Sequence, residues 1–112
     1  MIYSSLPVHK ASYELLLEIF IFSKDLSREY KYTIGQDLKK DTIDLLVGIY
    51  RANRVYDKKE IIIESREKLE MIRLYVRILH DLKEISIKKF THINLKIENV
   101  SKQLTGWQKS QK

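Results

Sequence analysis

The sequence predicts an all-α fold, an up-down-up-down antiparallel four-helix bundle, and three observations predict it. Apolar residues recur at alternating steps of three and four along four separate stretches, the spacing that lines one side of a helix. Only three glycines and one proline occur in 112 residues, which leaves room for short connections between long regular elements. No stretch alternates apolar and polar residues as a half-buried strand does. A chain of this length supports one core, so residues 1–112 are expected to form a single domain.

The first helix is expected over residues 7–26. Pro7 suits its first turn, where a missing N–H costs nothing. Val8, Ala11, Leu15, Ile19, Phe22 and Leu26 keep helical spacing, and Leu16, Phe20 and Ile21 widen the stripe. The period breaks from Asp25 to Tyr32, which reads as the longest loop. Thr33 and Gln36 fit a capping box, and a second helix follows over residues 34–55 with Leu38, Thr42, Leu45, Ile49 and Ala52 inward. Gly48 lies mid-helix, where glycine costs about 1 kcal/mol against alanine. The return expected is close approach of another helix, within the domain or across a subunit contact.

Asp57 and Glu60 repeat the cap pattern, with Tyr56 against Ile61 as a hydrophobic staple, and open a third helix over residues 58–83. The connection is tight enough to make these two helices antiparallel neighbours. Ile62, Ser65, Leu69, Ile72, Val76 and Leu79 form the core seam of the third helix. At about 100° per residue, Arg66, Arg73, Arg77 and His80 lie together roughly 90° from that seam. Ser86 is placed to cap a fourth helix over residues 87–108, with Ile85 stapled on Phe90. Phe90, Ile93, Ile97, Val100, Leu104 and Trp107 give the most regular seam in the chain, Gly106 is expected to let the Trp107 ring seat close to a backbone, and the tail from Gln108 to Lys112 is expected to fray.

The net charge is +6, and its placement says more than its size. Residues 1–70 hold twelve bases and twelve acids, whereas residues 71–112 hold nine bases against three acids. A one-sided surplus implies a polyanion-facing surface. Helix three is acidic early and basic late, an order that the helix dipole also favours, so part of the pattern has a purely structural explanation. The absence of cysteine excludes a disulfide framework and thiolate metal sites. The opening residues lack a basic region leading into an apolar run, and no uncharged run approaches a membrane span of about 20 residues, so a soluble cytoplasmic protein is expected.

Nothing in the chain reads as an active site. His9, His80 and His92 lack partners at metal spacing, the Glu-x-x-His pairs of di-iron bundles are missing, and there is no phosphate loop or nucleophile elbow. No enzyme activity, metal or cofactor is expected. The aromatics Tyr13, Phe20, Tyr50, Tyr75, Phe90 and Trp107 fall at core or near-core spacing.

Met71-Ile72-Arg73-Leu74-Tyr75-Val76-Arg77-Ile78-Leu79, followed by Ser101-Lys102-Gln103-Leu104-Thr105-Gly106-Trp107, resembles the accessory variability determinant proteins of diversity-generating retroelements. These belong with a wider set of small bacterial four-helix-bundle proteins that includes those encoded in ribosomal RNA intervening sequences. The similarity runs from about Leu6 to Gln108. It implies a non-enzymatic bundle that assembles as a homopentamer, binds RNA or DNA through basic surfaces, and associates with the element's reverse transcriptase during template-RNA-dependent cDNA synthesis. By position, Arg73 and Arg77 match the arginines of the family's third-helix motif, and Gly106 and Trp107 its carboxyl-terminal packing motif. Lys88, Lys89, Lys96 and Lys102 join the expected nucleic-acid-binding set on charge alone. A rival reading stands beside this one: an oligomeric scaffold for protein partners, with the arginines in intersubunit ion pairs and no nucleic-acid role.

Overall fold

The computed structural model of the protein describes residues 6–111. Among these residues five helices follow one another: α1 (Pro7–Ser23), α2 (Arg28–Lys31), α3 (Ile34–Ala52), α4 (Lys59–Asp81) and α5 (Ile87–Lys109). The four long ones are the four predicted helices, ending up to three residues from the expected positions, and no strand occurs among the described residues. The single turn α2 is a correction, because the segment from Asp25 to Tyr32 was expected to be loop throughout. None of its residues is buried, so it has no apolar stripe by which periodicity could reveal it.

Burial follows the seams. All six predicted inward residues of α4, from Ile62 to Leu79, are buried, as are Leu38, Thr42, Leu45, Ile49 and Ala52 of α3. Val8, Ala11, Leu15, Ile19, Phe22 and Leu26 join them from the first helix and the residues just after it, and Ile93, Ile97, Val100 and Leu104 from α5. Tyr30, Tyr75, Phe90 and Trp107 pack against the margin of this cluster. Two aromatics depart from expectation: Tyr13 and Tyr50 are largely exposed, on the outward sides of α1 and α3.

The packing is a closed ring. α1 touches α3 and α5, and α4 touches α3 and α5. The cross-helix contacts run in opposite numerical directions: Arg73 meets Glu98 while Arg66 meets Gln108, and Lys68 meets Asp41 while Ser65 meets Gly48. This packing is compatible with the expected up-down order. The described residues measure 43 × 25 × 22 Å, the long axis exceeding the roughly 35 Å of a 23-residue helix.

Local chemistry explains the ends. Ser86 Oγ accepts the Lys89 N–H at 3.1 Å and caps α5 as expected. α4 closes with paired bonds from Lys83 N–H to the His80 carbonyl and from Glu84 N–H to the Leu79 carbonyl, both 2.9 Å, with Lys83 in the left-handed region at φ 65°. The Thr33–Gln36 capping box does not form. Thr33 Oγ1 instead donates to the Glu29 carbonyl at 2.9 Å, because α2 supplies an acceptor one turn back. The Tyr56–Ile61 staple is absent too: Tyr56 is 99% exposed, and Asp57 Oδ1 accepts only the nearby Lys59 N–H, at 3.4 Å.

Two glycines take different roles. A Cβ on Gly48 would lie 2.9 Å from Ser65 Oγ, so the expected close approach is to α4 of the same chain. A Cβ on Gly106 would meet nothing within 4 Å. Trp107, whose ring the sequence expects to seat close to a backbone here, packs against the margin of the core. The expectations for the chain start and for Lys112 fall largely on residues 1–5 and 112, outside the described residues; α5 itself continues to Lys109.

Candidate nucleic-acid interface

The arginine edge of α4 lies where helical spacing puts it, along the seam with α5. Arg66 donates to Gln108, and His80 stacks on Phe90 with ring centroids 4.2 Å apart. Arg73 donates through Nη1 to the Glu98 carboxylate and lies 3.3 Å through Nε from Glu70. Burial opposes the Arg73 charge, but Glu98 and Glu70 more than offset it, and its proton affinity rises above the ordinary value. Arg77 is more exposed and has a looser partner, Asp81, at 3.7 Å.

The lysines lie elsewhere on α5. Lys89 Nζ reaches across to Glu18 of α1 at 3.1 Å, and His92 approaches the same carboxylate at 3.4 Å. Desolvation opposes ionisation of Glu18, yet Lys89 and, behind it, His92 hold its carboxyl below the usual value. Lys96, two turns after Lys89, falls on the same α1-facing side. Lys88 and Lys102 point away from the core, on the outward side of α5 near Leu95. Among the described residues, Lys88, Lys96 and Lys102 have no carboxylate within 4 Å.

The six predicted residues are therefore not gathered in one patch. Arg73 and Arg77 sit on the α4 side of α5, Lys89 and Lys96 on its α1 side, and Lys88 and Lys102 between them on the outside. A count of charges along the chain could not show this, because the pairings that divide them join residues 25 and 71 positions apart. Sequence reasoning also passed over a second concentration of cations. Arg51, Arg54, Lys58 and Lys59 flank the turn between α3 and α4 with one acid, Asp57, among them. The signal was available in the sequence, but it lies in the half of the chain whose total charge is zero.

No group of three or more His, Asp or Glu side chains among the described residues could hold a metal ion. No described helix is long and apolar enough to cross a membrane.

The bAvd-like family model matches residues 6–111, nearly the whole chain. The protein belongs to the bAvd-like family. Among curated proteins no match is found. This bAvd-like protein is a ring of four long helices with basic residues on its outside.

Proposed function

We propose that this bAvd-like protein is a non-catalytic, cytoplasmic accessory subunit of a diversity-generating retroelement. It binds nucleic acid through its basic surface and associates with the element's reverse transcriptase to support cDNA synthesis from template RNA. The body is a single up-down-up-down antiparallel bundle of the kind shared with ribosomal RNA intervening-sequence proteins. The observation that carries this reading is the family match over residues 6–111.

The physical basis is phosphate neutralisation by Lys and Arg with release of counterions, which favours affinity without sequence preference. Arg77, Lys88, Lys96 and Lys102 carry most of it among the predicted residues. Arg73 and Lys89 contribute less, because each is held by a carboxylate on a neighbouring helix, whereas Arg77 has only the looser and more exposed Asp81 contact. Self-association is supported by apolar side chains left outside the ring, Tyr13, Leu17 and Ile21 on α1 and Ile43, Val47 and Tyr50 on α3, and the homopentamer is what the family resemblance implies.

Co-expression with a reverse transcriptase of such an element tests the proposal. The expected result is co-purification and cDNA synthesis that depends on the accessory protein. Reversing charge at Arg77, Lys88, Lys96 and Lys102 together is expected to reduce RNA retention while the helical circular dichroism persists. A polymerase equally active without the protein would overturn the proposal. The rival scaffold reading predicts that the four-residue reversal leaves the polymerase complex and its RNA content unchanged; it places the arginines in intersubunit ion pairs, whereas Arg73 is engaged by Glu98 and Glu70 of its own chain.

A further inference from the structure

The turn between α3 and α4 holds the most exposed large apolar side chain described in the protein. Tyr56 is 99% exposed, so its ring contributes almost nothing to the core. On one side of it in the chain stand Arg51 and Arg54, on the other Lys58 and Lys59. None of the four has a carboxylate within 4 Å among the described residues. Arg54 lies over the Tyr50 ring at 5.8 Å, and Lys58 Nζ folds back onto the Val55 carbonyl at 3.0 Å, so both cations are held close to the turn without being neutralised. The one nearby acid, Asp57, accepts the Lys59 N–H at the start of α4, where the helix dipole adds further positive potential.

We infer that this turn is a contact for single-stranded nucleic acid, in which an unpaired base stacks on Tyr56 while Arg51, Arg54, Lys58 and Lys59 take the phosphates on either side. The inference rests on the nucleic-acid reading above and adds a place and a strand preference to it. A free aromatic face among cations matches the requirements of strand binding, since every base offers a π-face and every linkage a charge. A duplex is disfavoured as the occupant of the ring, because its base faces are already covered by their neighbours. The turn lies at one end of the ring of helices, bordered by Tyr50 of α3, over which Arg54 lies.

The test is a titration of a labelled, unstructured single-stranded RNA and of a duplex of equal length with wild-type protein and variants, at several salt concentrations. Tyr56→Ala is expected to weaken single-strand binding about tenfold, to leave duplex binding and the salt dependence unchanged, and to be rescued by Tyr56→Trp. Arg54→Ala and Lys58→Ala are each expected to reduce the slope of log affinity on log salt by about 0.7. Thermal melting by circular dichroism checks that each variant folds, which the exposure of Tyr56 and Arg54 favours. If wild type binds RNA and Tyr56→Ala binds it equally well, the inference is overturned and the broader reading stands. Tyr56→Ala with intact RNA binding but impaired polymerase retention would make the turn a protein contact and overturn it too. If wild type binds no nucleic acid, both fall.

Discussion

Arg73 of α4 donates to Glu98 of α5 and keeps Glu70, one turn earlier on its own helix, within 3.3 Å. The guanidinium thereby ties two helices together across their seam. Its side chain is 32% exposed, so the tie is worth little more than a surface pair in Coulomb energy, but its stem also covers the seam. Arg73→Ala is expected to destabilise the protein by about 1 kcal/mol, and Arg77→Ala by less than about 0.5 kcal/mol. Urea unfolding of both variants, with a double-mutant cycle through Glu98→Ala, measures the difference; equal effects and no coupling would contradict it.

The same substitution should act in opposite senses at two helical glycines. Alanine for glycine in a helix interior gains about 1 kcal/mol, less near an end. At Gly106 nothing within 4 Å opposes that gain, so Gly106→Ala is expected to stabilise by a few tenths of a kcal/mol to about 1 kcal/mol. At Gly48 the new methyl meets Ser65 Oγ at 2.9 Å in a buried seam, and Gly48→Ala is expected to cost about 1 kcal/mol net through overpacking. Melting temperatures of the two variants read the sign directly.

Glu18 makes the stability pH-dependent. Its folded carboxyl titrates below its ordinary value of 4.5, because Lys89 and His92 favour the charged form more than burial penalises it. A depressed carboxylate contributes stability that is fully present above the unfolded value and is lost as the pH falls through the lower folded value. Wild type is therefore expected to lose stability below about pH 4.5 more steeply than Glu18→Gln, with the two curves converging in acid. Unfolding free energies measured from pH 7 to pH 3 check this; parallel curves would exclude the Glu18 contact as a source.

Much of the fold was legible because burial and helical period coincide. The seam from Ile62 to Leu79 and the cap at Ser86 are both local patterns, and both are found. What was not legible depended on partners distant in sequence or on competition between local bonds. Thr33 and Gln36 have the right spacing for a capping box, but α2 offers the Thr33 hydroxyl the Glu29 carbonyl first. Tyr56 has the right spacing for a staple, but the turn carries it into solvent. The basic surplus of residues 71–112 is real in composition, yet Glu18 and Glu98 draw Lys89 and Arg73 to opposite sides of α5. The free cations around Tyr56 were masked by the balanced charge of the first seventy residues.

The central claim is electrostatic binding of a nucleic-acid strand, and the salt dependence of RNA affinity tests it most directly. With at least four phosphates neutralised, log affinity is expected to fall linearly with log salt with a slope of about −3 or steeper, alike for unrelated sequences. Affinity that stays flat across the salt series, or no binding at the lowest salt, would contradict the account.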